Sequence, residues 1–259
     1  MRRRLEVPLH RCLRGHPGGG HDLARGPALG LIEDPVAPHR TPDGGLFLEA
    51  RGLLFDNDGV LVDSEAGVVR AWSRWAVDAG LDPVEVLAAV PGRRAADTVA
   101  LFLEPEDVDA SVATLTRHEL ADVAGTTAVP GASDLVAQLA GVPWALVTSG
   151  VRELATARLV AAGVRLPLVS VTAEDVTAGK PHPEPYATGA ARLGVPPADL
   201  LVLEDSPSGV AAGRAAGCRV VGVGAGALGT PADVVVRDLT GARWTGAGLT
   251  LPAAALLRG

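Results

Sequence analysis

Two aspartates one residue apart, Asp56 and Asp58, follow the apolar run Gly52-Leu53-Leu54-Phe55 and precede Gly59. That pattern places them in a tight turn directly after a buried strand. Two other runs of strand character end on polar groups. Trp144 to Val147 lead into Thr148, Ser149 and Gly150, and Leu200 to Leu203 lead into Glu204 and Asp205. Lys180 lies in Ala178-Gly179-Lys180-Pro181-His182-Pro183, a loop between a third run and the helical pattern after it. In an open parallel sheet, ligands bind outside the carboxyl ends of the strands. One sheet edge is therefore expected to collect four carboxylates, a hydroxyl pair and a lysine. That lysine is the only one in the chain, against 22 arginines.

Four carboxylates converging on one lysine repel each other unless a cation sits among them. Hard oxygen ligands with an open position suit Mg²⁺, which takes one or two carboxylates, waters and a phosphate. A carboxylate beside such a metal, Asp56, can attack phosphorus and form an acyl phosphate, which splits one difficult step into two. Asp58, two residues on, has the reach to protonate the leaving oxygen and then to activate water. Thr148 and Lys180 would hold the charged phosphoryl oxygens.

The elements that must position these groups are readable in outline. After the aspartate turn, Val68, Trp72, Trp75, Ala76 and Ala79 fall on one helical face, with Gly80 as C-terminal cap. Trp72 and Trp75 read as core. The pattern stays helical, without strand character, to about 129 and reads as a helical unit inserted into a larger domain. From Pro130-Gly131 onward, runs at Trp144 to Val147, Leu168 to Val171, Leu200 to Leu203, Arg219 to Val223 and Val234 to Val236 read as strands. Helical patterns at 151–163 and 184–194 separate the first few. This alternation predicts an α/β fold, a doubly wound parallel sheet with helices on both faces. Ala253 to Leu257 reads as a last helical turn or a frayed tail.

Ahead of this domain, residues 1–50 are rich in Gly, Pro, Arg and His and show no sustained period. Order is expected to begin at Arg51, the preceding stretch being a flexible extension or the product of a translation start set too far upstream. Four of the six histidines, at 10, 16, 21 and 39, fall there, so a metal-binding tail is conceivable. The expected division is 1–50 extension, 51–63 plus 130–259 core, and 64–129 helical cap.

Composition narrows the function classes. With 259 residues, 47% apolar and 20% charged, the chain has the make-up of an ordinary α/β protein. A formal net charge of −7 argues against a general nucleic-acid binder, which needs surplus cations to neutralise phosphates. Cys12 and Cys218 form no disulfide framework and match no metal spacing. No apolar stretch approaches the roughly 20 residues that cross a bilayer. The opening Met1-Arg2-Arg3-Arg4 is not followed by the apolar region of a signal peptide. A cytoplasmic protein without membrane or nucleic-acid partners is expected, and oligomeric state is not readable.

Phe55-Asp56-Asn57-Asp58-Gly59-Val60-Leu61-Val62-Asp63-Ser64-Glu65 resembles the first motif of the haloacid dehalogenase superfamily. Val147-Thr148-Ser149-Gly150 is similar to its second motif, Lys180 to its third and Leu203-Glu204-Asp205-Ser206 to its fourth. The resemblance covers roughly 51 to 240. It implies Asp56 as nucleophile and metal ligand, Asp58 as acid/base and ligand through its backbone carbonyl, and Asp205 as the other protein ligand. It places Glu204 close to the metal or its waters, and Thr148, Ser149 and Lys180 at the phosphate. The insert resembles the small helical cap of one subgroup, and Gly92-Arg93-Arg94-Ala95-Ala96-Asp97 is similar to a cap segment of its sugar-phosphate members. Arg94 would reach a second phosphate or a sugar hydroxyl, or else lie solvated on a helix. Glu65 would touch substrate or simply favour a helix N-terminus.

The wording of these motifs looks most like the subgroup's sugar and glycerol phosphatases, so a Mg²⁺-dependent phosphatase acting on a small sugar or polyol phosphate is expected. A β-phosphoglucomutase-type mutase shares the aspartate pair and the cap segment. The dehalogenase reaction has no use for Asp58, because halide leaves without a proton. A non-catalytic homologue would be expected to have lost a motif, and all four stand.

Overall fold

The computed structural model describes residues 38–259. Cys12 and the histidines at 10, 16 and 21 lie outside the described residues. In chain order the elements are β1 (His39–Arg40), β2 (Leu46–Glu49), β3 (Gly52–Phe55), β4 (Val62–Asp63), α1 (Glu65–Asp78), α2 (Pro83–Ala89), α3 (Ala95–Val99) and α4 (Pro105–Ala121). Then come β5 (Thr127–Ala128), α5 (Ala132–Ala137), β6 (Trp144–Val147), α6 (Arg152–Ala161), β7 (Ser170–Val171), α7 (Glu184–Leu193), β8 (Leu200–Glu204) and α8 (Pro207–Ala215). The chain ends with β9 (Arg219–Val223), β10 (Val234–Val236), β11 (Arg243–Trp244), β12 (Gly248–Leu251) and β13 (Leu256–Arg258).

The central sheet has the order β13-β10-β9-β8-β3-β6-β7. Its pairs from β10 to β7 are parallel, and β13 adds to the β10 edge antiparallel. The central strands β3, β6 and β10 are apolar and buried throughout, because both faces of the sheet are covered there. Leu53, Phe55, Leu201, Leu203, Val221 and Val223 pack to one side with residues of α5 and α6. Leu54, Val202, Val220 and Val235 pack to the other with Tyr186, Ala190, Val210 and Ala212 of α7 and α8. The α/β reading with a doubly wound parallel sheet is thus borne out.

Two expectations are corrected. Order does not wait for Arg51: β1 and β2 join β12 and β11 in a separate four-stranded antiparallel sheet. Its inward residues Leu46, Leu48, Leu249 and Leu251 alternate with more exposed ones and belong to the same buried cluster as Phe55 and Leu203. Of the two readings of the C-terminal segment, the helical turn holds for the short 3₁₀ turn at Ala253–Ala255, and the frayed tail does not, because that turn leads into β13 on the sheet edge.

Helices α1 to α4 enclose a core of their own, made of Trp72, Trp75, Ala76, Val86, Val99 and Leu115. The two tryptophans meet edge to face at 5.7 Å. The chain leaves and re-enters the sheet domain through the two-residue ribbon β4–β5. Among the described residues, no helix is long and apolar enough to cross a membrane.

Candidate active site

From β3 the chain moves to β6 and β7 on one side of the sheet, then crosses back to β8, β9 and β10 on the other. The connections leaving β3 and β8 therefore diverge, which opens a crevice at the carboxyl ends of these neighbouring strands. Asp56 leaves β3 at that point and Asp205 leaves β8, and the backbone N–H of Asp56 donates to Leu203 O at 3.0 Å.

Lys180 is buried there with its ammonium fully committed. Nζ donates to Asp56 Oδ1 at 2.8 Å, to Glu204 Oε1 at 2.6 Å and to Val147 O at 3.1 Å. Glu204 is saturated as well. Oε1 also accepts from Tyr186 OH at 2.8 Å, and Oε2 accepts from Ser206 N at 3.1 Å and Ser206 Oγ at 3.0 Å. A carboxylate offers about four lone-pair sites, and here all of them are taken. Burial works against the Lys180 charge, but Asp56 and Glu204 outweigh it and hold the ammonium above the ordinary lysine range. Burial likewise opposes the Glu204 carboxylate, and Lys180 wins, so its pKa lies below the usual value.

The other two carboxyls are differently placed. Burial pushes Asp56 up to about 7 against the pull of Lys180, with Glu204 adding to the rise. Burial, then the charges of Glu204 and Asp56, push Asp205 well above the carboxylate range. One ammonium does not balance three carboxylates. Asp56, Glu204 and Asp205 each bring a carboxylate oxygen within 4.8 Å of the others, an all-oxygen set that fits a divalent cation. Because the Glu204 oxygens are spent on Lys180, Tyr186 and Ser206, the carboxylates open to such an ion are Asp56 and Asp205. Gly59 leaves free the space that the Asp205 carboxylate occupies. A Cβ at position 59 would stand 2.1 Å from Asp205 Oδ2, and the φ of Gly59 is +77°.

Asp58 lies apart from the lysine. Its Oδ1 accepts from Ser64 Oγ at 2.5 Å and pairs with Arg158 Nη1 at 2.9 Å, while Oδ2 accepts from Asn57 Nδ2 at 3.3 Å. The other arm of Arg158, Nη2, donates to Glu119 Oε1 of α4 at 3.0 Å. Sequence reasoning missed both residues. The available signal was placement: Glu119 follows Leu115 by four positions on the buried face of α4, and Arg158 falls between Leu154, Ala155 and Leu159 on the buried face of α6. Burial raises the Glu119 carboxyl, with Arg158 opposing.

Between these strand ends and the helical insert lies a cavity of about 1180 Å³, with Asp56, Asp58, Thr148 and Asp205 at its floor and Glu65 and Trp72 on the helical side. Thr148 Oγ1 accepts from Gly150 N at 3.0 Å, which leaves its hydroxyl proton free to donate. Ser149, expected at the phosphate, instead turns its hydroxyl to Gly92 O of the insert at 2.8 Å. Arg94 is likewise not free to reach a second phosphate. Nε and Nη2 grip Asp97 at 2.7 and 2.8 Å, and Nη1 donates to Val176 O of the core at 3.1 Å. Ser208 Oγ, which donates to Pro91 O at 3.1 Å, is a further tie between insert and core. Glu65 opens α1 beside the cavity, exposed.

Residues 50–217 match the model of the haloacid dehalogenase-like hydrolase family, and the chain belongs to that family of hydrolases. Strands β9 to β13 lie beyond the matched residues, as do β1 and β2. The chain is 46% identical over 191 residues to hexitol phosphatase A of Escherichia coli K12, covering 72% of this chain and 86% of that protein. It is 35% identical over 191 residues to glycerol-1-phosphate phosphohydrolase 2 of Saccharomyces cerevisiae, covering 69% and 76%. Among solved structures, CbbY from Rhodobacter sphaeroides in complex with phosphate shares the fold, with a TM-score of 0.67 and 24% identity over 76% of this chain and 99% of that one.

Proposed function

We propose that this hydrolase is a Mg²⁺-dependent phosphatase that releases inorganic phosphate from a small sugar or polyol phosphate through a phosphoaspartate on Asp56. The observation that carries the reading is Asp56 itself. Its carboxylate stands at the strand switch point and on the cavity floor, with Oδ1 oriented by Lys180 at 2.8 Å. The relatives named for hexitol and glycerol phosphate supply the substrate class.

Asp56, Asp205 and the backbone carbonyl of Asp58 would hold the Mg²⁺, which when bound neutralises the carboxylates and the phosphoryl oxygens together. An Asp56 oxygen forms a bond to phosphorus as the ester P–O bond breaks, and Asp58 passes a proton to the departing alkoxide. Asp58 then takes a proton from the water that cleaves the acyl phosphate, which returns Asp56 and frees phosphate. Thr148 donates to a phosphoryl oxygen. Lys180 has no spare donor at rest, because all three are in use. It joins the phosphoryl group once Asp56 is esterified and one donor is released. The resting lysine thus orients the nucleophile before it binds phosphate.

Phosphate release across a panel of hexitol, glycerol, sugar and nucleotide phosphates in Mg²⁺ tests the reading. Polyol or sugar phosphates should lead the panel, and Asp56→Asn should abolish release. Retained turnover in that variant would end the nucleophile assignment. Conversion of β-glucose 1-phosphate to glucose 6-phosphate without free phosphate would point to a mutase instead.

A further inference from the structure

The buried guanidinium of Arg158 joins two carboxylates from different parts of the molecule, Asp58 beside the cavity floor at 2.9 Å and Glu119 of α4 at 3.0 Å. Arg158 belongs to α6 of the sheet domain, whereas Glu119 belongs to the helical insert. A second contact on the same Asp58 oxygen comes from Ser64, the residue that immediately precedes α1. One oxygen of Asp58 is therefore fixed by two groups, and each of them depends on where the insert sits.

We propose that Arg158 and Glu119 are positioning residues: Arg158 aims the carboxylate of Asp58 into the cavity, and Glu119 locks that guanidinium only while α4 lies against α6. The proposal rests on the phosphatase reading and adds to it a route by which insert position reaches the proton-transfer group. The planar guanidinium is suited to this, since its two terminal nitrogens can serve two carboxylates in a fixed geometry. A lysine at 158 would reach one of them at a time. Because Arg158 and Glu119 are both out of water, Glu119 left without the guanidinium would be an uncompensated buried charge, whereas Asp58 opens onto the cavity and keeps its bonds from Ser64 and Asn57.

A proton donor matters to the extent that the leaving group needs one. An alkoxide leaving from glycerol phosphate needs it, and p-nitrophenolate does not. The ratio kcat/KM spans binding through the first irreversible step, departure of the leaving group, so the later attack by water does not enter it. The test compares kcat/KM for the two esters in Mg²⁺ across wild type, Arg158→Met, Arg158→Lys, Glu119→Leu and Glu119→Gln. A positioned general acid contributes on the order of a hundredfold or more. Arg158→Met and Glu119→Leu should lower the value for glycerol phosphate by about that factor and for p-nitrophenyl phosphate by less than about threefold. Arg158→Lys and Glu119→Gln should fall between wild type and those variants.

If Arg158→Met does not fold, the double variant Arg158→Met/Glu119→Leu removes both buried charges at once and should show the same selective loss. Equal losses on the two esters, or no loss on either, would overturn the assignment. A wild-type protein that hydrolyses neither ester fails the phosphatase reading itself, whereas an active wild type with equal losses in the variants fails this assignment alone.

Discussion

Lys180 Nζ lies 2.6 Å from Glu204 Oε1, with neither side chain exposed. Around this contact the site divides its labour. Glu204, saturated by Lys180, Tyr186 and Ser206, anchors the ammonium, and the anchored ammonium reaches across to orient Asp56. The ring of Tyr186 completes the enclosure, its centroid 5.0 Å from Nζ. The motif-four glutamate thus acts through the motif-three lysine, and the carboxylate of Asp205 after it takes no part in that contact.

Lys180→Met removes the charge that holds two buried carboxylates. Breaking a buried ion pair from one side costs about 3–5 kcal/mol, so the variant should unfold at a clearly lower temperature and release no phosphate. Adding Glu204→Gln should return part of the lost stability without any activity. Thermal unfolding of the single and double variants checks this, and a wild-type melting temperature for Lys180→Met would refute the anchoring role.

Metal removal should affect stability as well as rate. Asp56 and Asp205 are both raised by burial and by neighbouring negative charge, so a divalent cation relieves a penalty that the folded protein otherwise carries. Dialysis against EDTA should lower the melting temperature and silence phosphate release, and Mg²⁺ should restore both. At a hundred times its dissociation constant a ligand stabilises by about 2.7 kcal/mol. Asp205→Asn should lose most of the Mg²⁺-dependent rise, and calorimetry at matched ionic strength separates this from a general salt effect.

What the sequence disclosed follows from how local each signal is. The strands of the parallel sheet are buried on both faces and read as continuous apolar runs, so the residues at their ends could be listed in order. The strand-end groups Asp56 and Asp205 are legible for that reason, and Lys180, in the loop between β7 and α7, stands out as the only lysine of the chain. The second sheet was not, because β2 is four residues long, sits in a Gly- and Pro-rich stretch and pairs Leu48 with Leu249 across most of the chain. Ser149 reads as a phosphate-binding group, and Arg94 as a ligand or a solvated arginine, because the sequence does not show that Gly92 O takes the Ser149 hydroxyl or that Asp97 and Val176 O hold the Arg94 guanidinium. The Arg158 bridge joins residues 39 positions apart, and its link to Asp58 exists only once α6 is packed.

Cys218 should be inert in the folded protein. It is buried among Val210, Ala212 and Val220, and burial alone pushes its thiol from 9.0 up to about 12. The thiolate is the reactive form, so iodoacetamide at pH 8 should leave Cys218 unlabelled until denaturant is added, as peptide mass mapping will show. The sign of the linked stability follows from the raised value. The contribution is fully present below pH 9, the unfolded thiol's range, and is lost as pH climbs toward about 12. Cys218→Ala should flatten that part of the alkaline stability profile, and labelling of native Cys218 at pH 8 would contradict the burial.

Gly59 joins backbone geometry to cation binding. A side chain at this position meets two separate obstacles. The φ of +77° is strained for any L-residue, at about 1–2 kcal/mol. A Cβ would also stand 2.1 Å from Asp205 Oδ2, close enough that the carboxylate must move. Gly59→Ala should therefore lower stability modestly but weaken cation binding more than strain alone would. The discriminating measurement is a Mg²⁺ titration of phosphate release. On the proposed ligand set the half-saturating concentration should rise severalfold in Gly59→Ala, because the carboxylate of Asp205 would be displaced. A lowered melting temperature with an unchanged Mg²⁺ midpoint would show that the glycine serves only the turn, and that Asp205 has room to adjust.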